Sequence, residues 1–380
     1  MRLITSLFII GFLFVSCKKR EDGNSPSNSE KLTVGSVSSK GIFDPALTYD
    51  SVSGTLWMSY SAVNDNNTNL FPTQNAVSSR VAFSTNSGSS WSDVGVAVNP
   101  TLNVTITYPG LPSTGVWQSE VSRLLYDPYA ASSSSRWKLL SHHYLLVKDT
   151  SNDRRFEHGW LAYKAAATPT GLAGATEVKL FGAGLYDTAN NTVSGTTGSP
   201  VGGAPVIALH TLNAQLNNCL IFTEPGLLST SSYLYMTSIC VEASNFRVAL
   251  FRCAQPCAMT SGWSFVATML QNTEAVSLGY LNFSASELFE YNGANYLMVS
   301  PEGTTGSPGI YHGCKIYKFT DINTGTLQGA PTAINTVNGT DGSFNGACSY
   351  NENSQTGVVF SEFNSALSDS FQIFKSFVLP

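Results

Sequence analysis

Short runs of alternating hydrophobic and polar residues, separated by polar turns, recur along this chain. The clearest example is residues 43–62, where an apolar strand over 46–49 precedes a polar turn over 50–54 and an alternating strand over 56–61. Two such runs joined by a turn with glycine at its tip predict a β-hairpin.

The same pattern returns in four further segments, at 120–146, 204–223, 284–300 and 345–361. Hairpins that begin roughly every 60–85 residues indicate one sheet repeated around a ring. Residues 31–37 are a spare strand, which we expect to complete the last blade and remove the free sheet edges. The sequence therefore predicts an all-β, five-bladed β-propeller over residues 38–380.

The N-terminal segment indicates export. Arg2 precedes an apolar run over residues 3–15, which is too short to span a bilayer comfortably and predicts a signal peptide over residues 1–16. The sequence FVSC at 14–17 resembles a bacterial lipobox, which implies that Cys17 is acylated and becomes the mature N-terminus. An ordinary secretory signal is the alternative.

Residues 17–37 are predicted to contain the lipidated cysteine and a flexible tether, because serine, asparagine, glycine and proline dominate without an apolar period. We therefore expect a lipid-anchored protein of the bacterial cell envelope, at the outer membrane or cell surface. The net charge is −5, and no basic run follows the tether, so nucleic acid is not an expected partner.

Six cysteines remain after Cys17, and an even number in an exported chain predicts disulfides. Fifteen pairings are open; the candidate pairs by position are Cys219 with Cys240, Cys253 with Cys257, and Cys314 with Cys348. No zinc site is expected, because the CxxxC segment lacks a second pair and a nearby histidine. No cofactor is predicted, and calcium in the central channel is left open.

Residues 84–91, STNSGSSW, resemble the Asp-box of sialidases and related propellers, with Asn86 in place of aspartate. In that motif the amide or acid caps the turn, glycine takes a positive φ and tryptophan packs beneath. The motif is structural, so it does not indicate sialidase activity.

The chain also resembles the five-bladed propeller glycosidases, which include arabinanases, β-xylosidases, invertases and levansucrases. The resemblance covers most of residues 40–380. It rests on Asp44-Pro45 in blade one, WQSEV at 117–121 and LFEYNGANYLMVSP at 288–301. It implies three carboxylates at a central funnel: an aspartate base or nucleophile, an orienting aspartate before proline, and a glutamic acid proton donor.

Asp44 matches the first of these carboxylates. The third-blade position, aligned through Ala204-Pro205, carries alanine, and the fourth-blade acid position falls on Ser284. Loss of a general acid costs about 10²–10⁴ in rate. The resemblance therefore implies a degraded catalytic set.

Two other carboxylates are candidate catalytic residues. Glu120 opens the second inner strand and is expected to face the funnel, or to be a solvated strand end. Glu287 lies three positions from the acid position, and strand alternation turns it away from the funnel unless a bulge intervenes. Glu224 and Glu302 follow predicted second strands and are interpreted as turn residues.

Three further residues are candidate ligand-binding residues. Trp117 can stack on a sugar ring or pack in the core. Arg123 lies an odd number of positions from Glu120 and is expected on the other side of the strand. His142 and His143 should face opposite sides of one strand, each packed and hydrogen-bonded.

The sequence does not decide whether the protein is an enzyme. The favoured interpretation is a membrane-anchored surface protein, non-catalytic or weakly catalytic, that binds a glycan or a host or matrix protein. The alternative is an exported glycoside hydrolase that uses Asp44 with Glu120 or Glu287. A purely structural envelope role is a third hypothesis.

Overall fold

The computed structural model describes residues 29–35, 41–64, 76–105, 114–147, 154–182, 186–187, 192–193, 205–242, 245–304, 307–329, 331, 345–363 and 371–376. These residues form five antiparallel sheets around one axis, and the first strands of the sheets contact one another at the centre. The predicted five-bladed β-propeller is confirmed. Cys17 and the predicted signal peptide lie outside the described residues.

Each blade runs outward from an inner strand. The strands of blades one to three, in chain order, are Ile42–Asp50, Thr55–Asn64, Ala76–Ser84 and Ser92–Val98; Thr114–Tyr126, Trp137–Val147, Arg154–Ala166 and Val178–Gly182; and Ile221–Ser229, Tyr233–Val241, Phe246–Ala254 and Trp263–Gln271. Blade two is widened by Thr101–Thr105 beside its inner strand and by Ile207–Ala208 at its outer edge.

The strands of blade four are Asn282–Tyr291, Ala294–Thr304, Lys315–Asp321 and Thr326–Leu327, with Ser307–Tyr311 paired to the second strand. Those of blade five are Asn345–Ser349, Val358–Phe363 and Phe371–Ser376. Outside the blades lie the hairpin Tyr186–Asp187 with Thr192–Val193, the α-helix Asn272–Ser277, and short 3₁₀ turns at Ser133–Ser135, Pro169–Gly174, Leu209–Leu212 and Ala214–Leu216.

The ring is closed by the start of the described chain. Ser29–Lys31 pairs antiparallel with Phe371–Ser376 as the outer strand of blade five, and Lys375 Nζ lies 3.1 Å from Glu30 Oε2. The amide of Leu32 continues this pairing by donating to the carbonyl of Ile373 at 2.8 Å. The expected closure of the last blade is confirmed, although the paired strand begins slightly earlier than residues 31–37.

A β-bulge interrupts every inner strand at the same point. One residue of each bulge has a left-handed φ: Asp44 at 51°, Val121 at 52°, Glu224 at 51°, Ala285 at 50° and Ala347 at 50°. Non-glycine residues adopt this conformation only where surrounding contacts hold it. The five bulges therefore mark equivalent positions of the five blades.

Hydroxyl groups from neighbouring blades cap the amides of these bulges. Ser61 Oγ accepts from the Val121 amide at 3.0 Å, and Ser300 Oγ accepts from the Ala347 amide at 2.9 Å. Ser361 Oγ in the same way accepts from the amide of Asp44 at 2.7 Å. These bonds satisfy buried donors and join adjacent blades near the axis.

The apolar core lies between the faces of successive blades. The largest group of buried residues joins blades two and three and includes Leu180, Phe181, Phe222, Phe251 and Trp263. Burial of such sheet faces on both sides is what stabilises the ring.

The three disulfides connect the proposed pairs, with Cα–Cα distances of 5.4 Å for Cys219–Cys240, 5.6 Å for Cys253–Cys257 and 6.3 Å for Cys314–Cys348. The last of these links blade four to blade five, as expected. Among the described residues, no helix has the length and apolar character needed to cross a membrane.

The Asp-box-like turn forms as the motif predicts. Ser84 Oγ accepts from the Gly88 amide at 2.8 Å, and Asn86 Oδ1 accepts from the Ser90 amide at 2.9 Å. Gly88 has a φ of 89° and Trp91 is buried.

The third predicted hairpin, over residues 204–223, is wrong. Described residues 205–220 form the edge strand Ile207–Ala208 and two 3₁₀ turns, and the inner hairpin of blade three pairs Ile221–Ser229 with Tyr233–Val241. The apolar residues Leu209 and Leu216 made this segment resemble a strand, but they reach the core from turns.

Candidate active site at the propeller axis

Asp44 occupies the bulge of blade one and is buried between blades. Its Oδ2 accepts from Ser61 Oγ at 3.1 Å, and its amide donates to Ser361. Burial raises the pKa of Asp44 well above its usual range, and the neighbouring carboxylates Glu120 and Glu224 raise it further.

Glu120 precedes the bulge of blade two and is partly buried, paired across the strands with His142. Burial raises the pKa of Glu120 to about 7, whereas Arg154 and the Tyr144 hydroxyl lower it. A guanidinium beside this carboxyl favours its ionised form.

Glu224 occupies the bulge of blade three, and hydrogen-bond donors approach both of its oxygens. Oε2 accepts from the Ala285 amide at 2.5 Å, and Oε1 accepts from the Tyr311 hydroxyl. Burial raises the pKa of Glu224, while these two hydrogen bonds lower it.

The interpretation of Glu224 as a turn residue is therefore wrong. Glu224-Pro225 occupies the same bulge position in blade three as Asp44-Pro45 in blade one. The third-blade position thus carries a carboxylate before proline, and its assignment through Ala204-Pro205 is also wrong.

The interpretation of Glu302 as a turn residue is also wrong, because Glu302 lies in the second strand of blade four, opposite Asn282. Its Oε2 accepts from Ser284 Oγ at 2.5 Å. Burial raises the pKa of Glu302 to about 7, and the charge of Glu224 adds to this increase.

The four carboxyl groups form one electrostatic cluster. Glu224 interacts with Asp44, Glu120 and Glu302, and the hydroxyl of Tyr311 interacts with Glu224, Glu302 and Asp44. Like charges in a partly buried site cannot all be ionised near neutral pH. Burial, with repulsion between these carboxyls, therefore raises the pKa of members of the cluster.

Arg123 and Glu287 form a buried ion pair across the axis. Arg123 Nε lies 2.9 Å from Glu287 Oε2, and both side chains are at most 5% exposed. The guanidinium also donates to the carbonyls of Pro45 and Ser286 at 3.4 Å, and Ser349 donates to Glu287 Oε1 at 3.2 Å. These contacts connect blades one, two, four and five.

Both members of this ion pair, Arg123 and Glu287, are site residues predicted from the sequence. A bulge between Ser284 and Glu287 resets the alternation of the strand, and the Glu287 carboxylate binds Arg123. Arg123 also lowers the pKa of Asp44 and Glu224. The roles of Glu287 as an acid and Arg123 as a ligand-binding residue stay predictions.

A metal ion does not fit the axis well. The axis is crossed by the ion pair of Arg123 with Glu287, so the Glu287 carboxylate is already paired with a cation. Among the described residues, the only group of three metal-ligating side chains within 4.8 Å of one another is Cys219, Cys240 and Glu242, and its two sulfurs form a disulfide. The funnel carboxyls are thus spaced apart rather than gathered in a cage.

The remaining candidates are packed side chains. Trp117 is 7% exposed and stacks edge-to-face on Trp160, with ring centroids 4.6 Å apart. His142 Nδ1 lies 2.9 Å from Thr223 Oγ1, and burial lowers the pKa of His142 to about 3. His143 stacks on Trp160, so the two histidines face opposite sides of their strand.

No sequence-family model and no curated protein matches the chain. Several solved structures share its architecture. Zg3597, a family 117 glycoside hydrolase of the marine bacterium Zobellia galactanivorans, is 10% identical, with 92% of this chain and 90% of that chain covered and a TM-score of 0.49. The alpha-L-arabinofuranosidase PaAbf62A of Podospora anserina is 10% identical, with 91% and 93% covered and a TM-score of 0.46.

The GH32 beta-fructofuranosidase BmSUC1 of Bombyx mori is 14% identical, with 79% of this chain covered and a TM-score of 0.44. The chain spans 50% of the length of that enzyme. The fold of this chain is a five-bladed β-propeller.

In this propeller, sequence reasoning missed Glu224, Glu302 and Tyr311. One signal was present for Glu224. The sequences TEP at residues 223–225 and FDP at 43–45 both place an acidic residue directly before a proline. No comparable signal marks Glu302, since its approach to the funnel depends on the register of Asn282 with Glu302.

Proposed function

We propose that this protein binds a carbohydrate chain in its axial funnel and hydrolyses a glycosidic bond there. One observation carries the proposal: carboxyl groups from blades one to four share one electrostatic cluster, and burial raises the pKa of Glu120 and Glu302 to about 7. The solved structures of similar architecture support the fold and not the reaction.

Glycosidic cleavage needs one protonated and one ionised carboxyl group at the same pH. Burial and neighbouring charge favour the protonated form of Asp44, while Arg154 favours the ionised form of Glu120. Because the two carboxyls interact, they titrate as a coupled pair. The ionised member of this pair is the group that accepts a proton from an attacking water.

Charge also limits the substrate class. The funnel contains the four carboxyl groups of the cluster, and the guanidinium of Arg123 is already paired with the Glu287 carboxylate. Uronate or sialate groups would meet like charge there, so we expect a neutral glycan.

The test uses Asp44→Asn with Glu290→Gln as a matched control, since Glu290 is exposed at the end of its strand. Wild-type and variant proteins are assayed on chromogenic glycosides and neutral oligosaccharides, with circular dichroism to verify folding. We expect Asp44→Asn to lower kcat/KM by about 10²–10⁴ and the control to match wild type. Hydrolysis that survives Asp44→Asn would overturn the proposal.

Glycan binding without turnover is the second candidate function. It is favoured by Ser284 at the position of the family acid and by the use of Glu287 in the axial ion pair. A glycan array distinguishes the two functions. Binding that is lost in Asp44→Asn, with no hydrolysis by wild type, would support this candidate instead.

We also propose that the propeller is held at the bacterial cell envelope through acylated Cys17, where it contacts a glycan or a host or matrix protein. The support is the lipobox-like sequence and the tether composition. Labelling with a fatty-acid analogue should modify wild type and not Cys17→Ser. Equal labelling of both would refute the anchor.

A further inference from the structure

Glu302 reaches the funnel from an unexpected strand. Its Oε2 lies 2.5 Å from the hydroxyl of Ser284, the residue directly before the blade-four bulge at Ala285. In blade two the residue directly before the bulge is Glu120. Blade four therefore presents a carboxyl group at the same position of the repeat, but supplies it from the second strand across a serine.

The local backbone explains this approach. The pairing of Ala294–Thr304 with Ser307–Tyr311 is irregular between Glu302 and Thr304, and Gly303 has a φ of 71°. Such an irregularity re-aims a side chain at the end of a strand. Tyr311, paired directly with Glu302, donates to Glu224 and places the two carboxyls near each other.

The neighbours of Glu302 favour its protonated form. Burial raises the pKa of Glu302 to about 7, and the charge of Glu224, whose oxygens accept from the Ala285 amide and the Tyr311 hydroxyl, adds to this increase. The hydrogen bond from Ser284 lowers the pKa of Glu302, and Tyr311 is a neutral phenol whose own pKa is raised by burial and by the same carboxylates. Glu120 differs, because Arg154 faces it.

We propose that Glu302 is a catalytic residue of the hydrolysis proposed above and donates the proton to the departing glycosidic oxygen. The inference rests on the proposed function. Ser284 and Glu224 are positioning residues: Ser284 fixes the orientation of the carboxyl group, and Glu224 keeps the proton on it.

The step balances as a single displacement. The bond from the anomeric carbon to the glycosidic oxygen breaks, its electron pair stays on that oxygen, and the Glu302 carboxyl proton moves to it. A water oxygen bonds to the anomeric carbon and releases a proton to the ionised member of the Asp44–Glu120 pair. A proton exchange with solvent restores both groups.

The test compares Glu302→Gln with the exposed control Glu290→Gln on two aryl glycosides of the same sugar. Loss of a general acid slows the release of a poor leaving group, such as phenol, but spares a good one, such as 2,4-dinitrophenol. We expect kcat/KM to fall about 10²–10⁴ on the phenyl glycoside and to stay within tenfold of wild type on the dinitrophenyl glycoside.

A second variant protects the test against a folding defect. Ser284→Glu combined with Glu302→Ser returns the carboxyl to the inner strand, and it should recover activity on the phenyl glycoside relative to Glu302→Gln. Equal losses on both substrates, or a fully active Glu302→Gln, would overturn the role of Glu302. If the role of Glu302 is overturned but Asp44→Asn is inactive, the proposed hydrolysis stands. If wild type hydrolyses neither aryl glycoside, the proposed hydrolysis and the role of Glu302 both fail.

Discussion

The buried ion pair of Arg123 with Glu287 predicts a large and pH-dependent loss of stability when either residue is replaced. Its two side chains are 2% and 5% exposed and connect four of the five blades at the axis. Removal of one partner leaves a buried charge without compensation, which costs about 3–5 kcal/mol. Replacement of both by apolar residues of similar size removes that penalty.

We therefore expect Arg123→Met and Glu287→Leu each to lower the free energy of unfolding by about 3–5 kcal/mol, and the double variant to lose less than the sum. The two single variants should differ with pH. Burial raises the pKa of Glu287 to about 7, and Arg123 opposes this rise. Without Arg123 the folded-state pKa moves higher still, so the carboxyl takes up a proton instead of staying charged.

The sign of the pH effect follows from that proton. A pKa raised in the folded state contributes stability that is present below the unfolded pKa and lost as pH rises through the folded pKa. Between pH 7 and 8.5 the Arg123→Met defect should therefore grow, by up to about 2 kcal/mol at 1.36 kcal/mol per pH unit. The Glu287→Leu defect should stay nearly constant over this range, because that variant has no carboxyl at position 287 to titrate.

Urea unfolding at both pH values, with disulfides oxidised, measures these changes. With a slope of about 3 kcal/mol per molar urea, each single variant should unfold about 1–1.7 M earlier than wild type. A coupling energy below about 0.5 kcal/mol in the double-mutant cycle would refute the ion-pair argument. An Arg123→Met defect that is equal at both pH values would refute the assigned protonation of Glu287.

Three further predictions follow from hydrogen bonds, a disulfide and buried carboxyls. Ser61→Ala leaves the Val121 amide without its acceptor and should cost about 1–3 kcal/mol in thermal unfolding, whereas a stability equal to wild type would contradict the capping role. Cys314→Ser opens a link of sequence separation 34 and should cost about 2–4 kcal/mol, and reductant should destabilise wild type by more than this because it also opens the other two disulfides. Because burial raises the pKa of Glu302 to about 7, its contribution to stability is lost as pH rises from 4.5 to 7; the melting temperature of wild type should fall more over this range than that of Glu302→Gln.

The blades could be predicted because each begins with a hairpin whose apolar residues alternate around a glycine-containing turn. The hairpin predicted for blade three at residues 204–223 was misplaced for a local reason. Leu209 and Leu216 belong to the apolar residues that suggested a strand, but they lie in 3₁₀ turns, where Asn213 caps the second turn by accepting from the Gln215 amide at 2.9 Å. A short polar cap therefore outweighed the hydrophobic pattern.

The site was predicted less well than the fold because bulges determine which side chains face the funnel. Asp44 was found through its motif, whereas proline and glycine beside Glu224 suggested a turn although they belong to a bulged inner strand. A single sequence does not show the left-handed φ of Glu224, nor the register that brings Glu302 to Ser284. Side-chain alternation alone consequently misplaced both groups.

Closure of the ring by Ser29–Lys31 has a consequence for biosynthesis. The partner strand, Phe371–Ser376, follows the first four blades in the chain, so the two ends of the sheet ring meet only after those blades have been synthesised. A truncated product that stops before residue 371 lacks this partner and retains exposed strand edges, which favour aggregation. Cellular quality control that removes such products would therefore act on chains whose sheet ring has not closed.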